Sequence, residues 1–189
     1  MDNPFQKLIN GQRIIGSLRR REDLAEVANH KCIKTVFILN SNLLELNKTV
    51  TAIKTKGKNV FVHIDLVEGL GKDAVGVKYL KAIGVHGIIT TKLSLIRAAK
   101  EEGLITVQRF FVVDSEAVKT GIKMAKLEKP EAIEILPAFL PKYYLDVING
   151  ELGIPTIAGG LIRTEEDVRQ VLATGFHAIT TSRRLLWDL

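Results

Sequence analysis

Cysteine is almost absent from this chain of 189 residues. The one cysteine, Cys32, excludes an intramolecular disulfide, and no second ligand stands near it at the spacing of a metal site. We therefore interpret Cys32 as an ordinary small side chain. No signal-peptide pattern and no apolar run of membrane-spanning length is visible, so the sequence predicts a cytoplasmic protein without a membrane partner.

Linkers rich in proline, glycine and serine are also lacking, as are low-complexity segments. The composition is 46% hydrophobic and 25% charged, which is typical of a globular chain with a sizeable core. We therefore expect residues 1–189 to form a single domain.

Eight short apolar runs recur along the chain. They cover residues 13–17, 35–39, 59–65, 86–91, 105–111, 132–137, 154–159 and 178–182. Segments with helical spacing lie between them, and strict alternation of strand and helix is typical of parallel βαβ units. The sequence predicts a small (β/α)8 barrel of the TIM type, with eight parallel strands and short helices. An open, doubly wound sheet is the alternative.

Capping residues and glycines mark the expected ends of the intervening helices. Helix starts are predicted at Ser94, Asp114 and Thr164, and helix ends at Gly57, Gly84, Gly103 and Gly175. The segment that begins at Thr164 resembles a capping box. Near the start of the chain, Phe5, Leu8 and Ile9 predict a short helix that plugs the bottom of the barrel.

Two signals near the end of the chain predict a phosphate-binding cup. Gly159 and Gly160 close one apolar run, and Thr181 and Ser182 close the next. Two glycines let backbone N–H groups approach an anion closely, and the hydroxyl groups add donors. In (β/α)8 barrels, the loops after the seventh and eighth strands commonly bind phosphate.

The third predicted strand carries polar residues on one face. Alternation places Phe61, His63 and Asp65 together, and we expect this face to line the lumen. Asp65 stands at the carboxyl end of the strand, where barrel sites are assembled, and it either serves a site or caps the following loop. We interpret His63 as a core histidine with satisfied hydrogen bonds.

Charged residues stand at three other strand ends, which open on the same end of the predicted barrel. They are Lys92, Arg109 and Glu134. The two cations complement a phosphorylated ligand, and a carboxylate can accept hydrogen bonds from its hydroxyl groups. The alternative is a set of ion pairs that satisfy one another. No nucleophile–base pair, no metal-ligand spacing and no clear Schiff-base lysine is recognisable, so we expect a sensor without a metal or cofactor.

The net charge of +6 and the isoelectric point near 9.4 favour an acidic partner. Most lysines and arginines fall on predicted outer helices, where a solvated face is the simpler interpretation. No RNP-type aromatic strand, KH-type loop or zinc-finger spacing supports nucleic-acid binding from the sequence alone.

Six segments resemble, in order, the signature blocks of the glycerol uptake operon antiterminator regulatory proteins. They are residues 61–73, 87–92, 106–111, 132–137, 157–162 and 181–182. The blocks extend over nearly the whole chain. The resemblance implies a bacterial regulator that is not an enzyme, senses glycerol 3-phosphate, and acts on leader mRNA so that transcription passes a terminator ahead of glycerol-utilisation genes.

The resemblance also suggests roles for individual residues. The phosphate would be bound by Gly159, Gly160, Thr181 and Ser182, with Arg19 as a helper. The glycerol portion would be lined by Asp65, Lys92, Arg109 and Glu134. We hypothesise that ligand binding orders the loops after strands one, three and eight and assembles an RNA-binding surface from Arg20, Arg21, Arg183 and Arg184.

Two alternative functions stay open at this point. A phosphate-binding barrel enzyme, a lyase, isomerase or transferase, would use Asp65 or Glu134 as general base and Lys92 as the electrophilic partner. A sensor that binds a protein in place of RNA is the second. With any of these functions, the outer helices could pair copies of the chain into a homo-oligomer.

Overall fold

A closed barrel of eight parallel strands is formed by residues 3–189, the part of the chain that the computed structural model describes. The barrel strands are β1 (Ile14–Leu18), β2 (Thr35–Ile38), β4 (Asn59–His63), β6 (Gly87–Thr90), β7 (Ile105–Phe111), β8 (Ala132–Leu136), β9 (Thr156–Gly159) and β10 (Ala178–Thr181). The barrel closes where β1 pairs with β10. The predicted (β/α)8 barrel is therefore confirmed over the open sheet.

Helices connect the strands and pack outside the barrel, apart from the first helix. They are α1 (Pro4–Ile9), α2 (Leu24–Asn29), α3 (Leu43–Lys54), α4 (Ala74–Ala82), α5 (Leu93–Glu101), α6 (Ser115–Glu128), α7 (Lys142–Leu152) and α8 (Glu165–Thr174). Short 3-10 helices cover residues 21–23, 64–66 and 184–186. Among residues 3–189, none of the helices combines the length and apolar character needed to cross a membrane.

A small second sheet was not predicted. It pairs β3 (Ser41–Asn42) with β5 (Val67–Glu68), just beyond the carboxyl ends of β2 and β4. Strands of two residues are too short to produce a recognisable alternation, so no sequence pattern could reveal them.

Most predicted helix ends agree with the structure. The Asp114 side chain accepts a hydrogen bond from the Ala117 amide, and Thr164 and Asp167 form a complete capping box. The four predicted terminal glycines all have positive φ. The predicted start at Ser94 was wrong, because α5 begins at Leu93. The Thr90 hydroxyl accepts a hydrogen bond from the Lys92 amide, so the turn that leads into α5 forms before Ser94 in the chain.

Alternation along the strands divides the barrel lumen into two layers. The lower layer is apolar and consists of Ile15, Phe37, Phe61, Ile89, Val107, Ala132, Ile157 and Ala178. The upper layer consists of the residues that stand two positions after these in the chain. They are Ser17, Leu39, His63, Thr91, Arg109, Glu134, Gly159 and Thr180. Side chains two residues apart share a face of a strand, so the lumen changes from apolar to largely polar within one step.

The helix α1 closes the bottom of the barrel, as predicted. Phe5 and Ile9 are buried against the apolar lower layer, with Leu8 partly buried beside them. The ring of Phe5 meets that of Phe61 edge to face, with centroids 5.6 Å apart. The side chain of Asn3 caps α1 by accepting from the amide of Gln6.

Truncation of this plug should destabilise the protein strongly. Phe5 is fully buried, so Phe5→Ala should lower the free energy of unfolding by about 3 to 5 kcal/mol. Leu44, on α3, is 87% exposed, and Leu44→Ala should change the same quantity by less than about 0.5 kcal/mol. Urea unfolding of both variants measures this, and equal effects would contradict a core role for α1.

Candidate ligand-binding site

A cavity of about 660 Å³ opens at the carboxyl-terminal end of the barrel. Its floor includes upper-layer residues of the lumen, and its rim comes from the segments after β1, β2, β4, β9 and β10. The polar and charged lining residues are Ser17, Arg19, Asn40, Arg109, Glu134, Arg163, Thr180, Thr181, Ser182 and Arg183. This volume lies in the range of small-molecule sites.

A buried ion pair forms the floor of the cavity. The Arg109 Nε donates to Glu134 Oε2 at 2.7 Å, and the Thr180 hydroxyl donates to Glu134 Oε1, also at 2.7 Å. The Glu134 side chain is only 1% exposed. Each carboxylate oxygen thus has a partner, which fixes the orientation of the carboxylate.

Gly159 leaves the space that this carboxylate occupies. A Cβ atom at Gly159 would lie 2.9 Å from Glu134 Oε1 and 3.0 Å from Thr180 Oγ1. Any larger residue would therefore displace the carboxylate from its partner. Gly159 does not itself line the cavity, whereas Gly160, with φ of 80°, does.

The predicted phosphate cup lines one side of the cavity through Gly160, Thr181 and Ser182. The Thr181 hydroxyl accepts a hydrogen bond from the Arg183 amide at 3.1 Å, which leaves its own proton available for a ligand. The Thr181 carbonyl accepts from the indole N–H of the buried Trp187 at 3.0 Å. The end of β10 is thereby held in place from both sides.

Arginine dominates the charge of the cavity. Four arginines and one glutamate line it, which gives a net charge of +3. Within residues 3–189, the side chains of Arg19, Arg163 and Arg183 make no hydrogen bond or ion pair, so their guanidinium groups can receive an anion. Sequence reasoning missed Arg163, although it stands in the loop between Gly160 and the capping Thr164.

Two predicted pocket residues, Asp65 and Lys92, lie outside the cavity lining. The strand β4 ends at His63, and Asp65 falls in the following 3-10 turn, where strand alternation no longer applies. Its carboxylate accepts from the Thr90 hydroxyl at 3.0 Å and from the Thr91 amide at 2.8 Å. Asp65 therefore joins the end of β4 to the end of β6. Lys92 is exposed at the start of α5.

His63 is buried in the upper layer, but its hydrogen bonds are not all satisfied. Its Nδ1 has no hydrogen-bond partner within residues 3–189 and lies 3.9 Å from Asp65 Oδ2. Burial, and then the nearby charge of Arg109, lower the pKa of His63 to about 4. The imidazole is therefore neutral at neutral pH, and the prediction of a fully satisfied histidine was wrong.

Three of the four arginines assigned to RNA binding form ion pairs with acidic side chains. Arg20 donates to the buried Asp23, with Nε 3.0 Å from Oδ2, and Arg184 pairs with the same carboxylate. These guanidinium groups, Arg20 first, hold the pKa of Asp23 below its usual range. Arg21 pairs with Glu45. The RNA-binding role of these residues stays a prediction, whereas Arg183 stands at the rim of the cavity.

A family model described as glycerol-3-phosphate responsive antiterminator matches residues 14–187. The chain belongs to this family. The match confirms the resemblance found in the six sequence blocks, and the family description indicates a regulatory role in transcription antitermination.

Two solved structures agree with this assignment, and a curated protein is similar over nearly the whole chain. The chain is similar to a glycerol uptake operon antiterminator regulatory protein from Listeria monocytogenes, with 33% identity, coverage of 100% and 99% of the two chains and a TM-score of 0.89. An antiterminator-related protein from Thermotoga maritima is 35% identical, with coverage of 94% and 99% and a TM-score of 0.84. The uncharacterized protein YgcP of Escherichia coli is 33% identical over 98% of this chain and 97% of its own length.

Protonation of His63 should lower the stability of the protein in mild acid. Its folded-state pKa of about 4 lies below the unfolded value of 6.5, so the unfolded chain takes up the proton first. The free energy of unfolding should fall between pH 6.5 and 4, by up to roughly 3 kcal/mol from this group. His63→Gln should lose this part of the pH dependence. Urea unfolding across this range compares the two proteins, and identical slopes would contradict the assignment.

Proposed function

We propose that this chain is a cytoplasmic regulator that senses glycerol 3-phosphate and binds leader mRNA, preventing premature termination ahead of glycerol-utilisation genes. The observation that carries the proposal is the cavity with three unpaired arginines at the mouth of the barrel, in a chain of the antiterminator family. Its volume and charge suit a small dianion.

The phosphate group of the ligand would bind at the rim of the cavity. Arg19, Arg163 and Arg183 converge there from the loops after β1, β9 and β10. Guanidinium groups bind phosphate oxygens through paired, charge-assisted hydrogen bonds. The hydroxyl groups of Thr181 and Ser182 supply further donors on the same side.

The glycerol portion would lie deeper, against the upper layer of the lumen. Both oxygens of Glu134 accept one hydrogen bond each from the protein, and a carboxylate can accept more. The Ser17 hydroxyl is buried in the cavity wall and has no hydrogen-bond partner within residues 3–189. A hydroxyl of the ligand would satisfy it, and buried polar groups require such partners.

The geometry of the cavity favours a ligand that acts as an effector over one that is a substrate. The enzyme alternative requires Asp65 or Glu134 as a base and Lys92 as an electrophile. Asp65 and Lys92 lie outside the cavity lining, and Glu134 is engaged by Arg109 and Thr180. The ligand would therefore bind unchanged, and neither a cofactor nor a metal is assigned to this cavity.

Calorimetric titration with glycerol 3-phosphate tests the ligand site. Arg163→Ala and Arg183→Ala should each weaken binding about tenfold or more, because each removes a charged hydrogen-bond donor. Arg169 on α8 is exposed, pairs with Glu165 at 3.2 Å and lies outside the cavity, so Arg169→Ala should bind as the unmodified chain does. Glycerol should bind far more weakly than glycerol 3-phosphate.

Two results would contradict this proposal. Equal affinities for glycerol and glycerol 3-phosphate would mean that the phosphate group does not contribute to ligand binding. Turnover of glycerol 3-phosphate, or of a related triose or sugar phosphate, that is lost in Glu134→Gln would favour the enzyme.

Leader mRNA would bind at the same face of the barrel. Arg183 stands there with its charge uncompensated, whereas Arg20, Arg21 and Arg184 are paired with acidic residues. Phe111, the last residue of β7, and Phe139, in the segment after β8, are 55% and 44% exposed. Unstacked RNA bases stack on such rings, and cationic side chains beside them bind the phosphates.

Coupling between ligand and RNA requires that the ligand bind one conformation of this face more tightly than the other. The loops after β9 and β10 carry both Arg163 and Arg183, and a phosphate between them would draw these loops together. RNA would then bind to ordered loops at the mouth of the barrel. Glycerol 3-phosphate and RNA would each raise the affinity of the protein for the other.

A labelled leader transcript of a glycerol operon, titrated with and without glycerol 3-phosphate at two salt concentrations, tests this coupling. We expect tighter, salt-sensitive binding with the ligand. Phe139→Ala should weaken RNA binding and leave ligand affinity unchanged, because Phe139 does not line the ligand cavity. Arg183→Ala should weaken both.

The matched control is Arg21→Gln, which removes a charge already compensated by Glu45. A loss of RNA affinity in this variant equal to that in Arg183→Ala would favour the surface first predicted from the sequence. Ligand binding without any RNA binding would favour a sensor with a protein partner.

A further inference from the structure

Three metal-ligating side chains meet at the end of the barrel opposite the ligand cavity. Cys32 Sγ lies 3.4 Å from Asp188 Oδ1, and His30 Nε2 lies 3.6 Å from the same oxygen. All three ligand atoms lie within 4.8 Å of one another. The sequence interpretation that Cys32 has no metal-binding partner missed this cluster, because Asp188 stands at the other end of the chain.

The distances agree with a tetrahedral transition-metal site. Zinc bonds of about 2.3 Å to sulfur and about 2.0 Å to nitrogen and oxygen separate tetrahedral ligands by roughly 3.3 to 3.5 Å. The two separations from Asp188 Oδ1 match these edges within a few tenths of an ångström. Two of the three separations between ligand atoms therefore already suit a bound cation, and the third is at most 4.8 Å.

The backbone that carries two of these ligands is held by other residues. The buried Lys58 donates through Nζ to the carbonyl of His30 at 2.6 Å and also to that of Ile33. Gln12 Nε2 donates to the carbonyl of Cys32 at 3.0 Å. The segment is therefore in position before a metal arrives, which lowers the entropic cost of binding.

The third ligand follows a fixed residue in the chain. Trp187 is buried, and its ring meets the ring of His30 edge to face with centroids 5.3 Å apart. Asp188 is next in sequence, so its backbone is anchored beside His30 and Cys32. Its side chain is 75% exposed, which leaves a path for a cation and for a water molecule.

We propose that His30, Cys32 and Asp188 bind one Zn²⁺ ion, with water as the fourth ligand. A thiolate together with an imidazole selects zinc over the hard cations magnesium and calcium. The ion joins the tail after β10 to the segment before β2 and so stabilises the folded chain. This site is independent of the proposed ligand cavity.

Cobalt(II) titration of the full chain, without a metal-binding affinity tag, tests the site. We expect one equivalent to bind with a thiolate-to-cobalt charge-transfer band, and zinc to displace it. Cys32→Ser should abolish the band. His30→Gln and Asp188→Asn should each weaken binding by about tenfold or more, since even residues outside the ligand set cost that much. Asp146→Asn, at an exposed carboxylate on α7, should bind as the unmodified chain does.

Thermal unfolding with and without zinc provides the second measurement and reports whether each variant is folded. Zinc should raise the midpoint of the unmodified chain and leave that of folded Asp188→Asn unchanged. Unchanged cobalt affinity in both His30→Gln and Asp188→Asn would mean that the thiol binds the metal by itself, and would overturn the site. Absence of cobalt binding to the unmodified chain would also overturn it.

Discussion

Glu134 carries a carboxylate into the lumen of the barrel, where a charge without partners would cost several kcal/mol. Its two partners come from strands on different sides: Arg109 is its direct neighbour in the β7–β8 register, and Thr180 reaches it from β10. The room for this arrangement exists because Gly159 has no side chain. Barrel register, strand order and one glycine are thus linked through a single buried ion pair, and the cavity above depends on all of them.

Charge changes in steps along the barrel axis. The plug and the lower layer of the lumen are apolar, the upper layer contains a compensated ion pair, and the rim carries uncompensated arginines. Neighbouring arginines at the rim differ in role. Arg20 and Arg184 hold the buried Asp23 between the loops after β1 and β10, while the preceding residues, Arg19 and Arg183, face the cavity. One arginine of each pair anchors its loop, so the other is presented from a fixed backbone.

The part of the site that sequence reasoning located depends on regular structure. Arg109 and Glu134 were expected at the mouth of the barrel because they stand near the carboxyl ends of strands, and both lie within strands and line the cavity. Asp65 was assigned to the pocket by the same rule, but the strand had already ended at His63. The 3-10 turn that follows β4 carries Asp65 to its contacts with Thr90 and Thr91. Both threonines lie outside residues 59–65, so no pattern within that segment could reveal these contacts.

The sequence by itself determined the barrel, its plug, most of its helix ends and the family of the chain, because periodicity, capping and signature blocks are local along the chain. Only the tertiary structure decided which charges are free. Whether an arginine can receive a ligand depends on whether acidic residues from elsewhere pair with it, as Asp23 does with Arg184, or leave it unpaired, as with Arg183. The meeting of Cys32 with Asp188 has the same origin, since closure of the barrel brings together residues from the two ends of the chain.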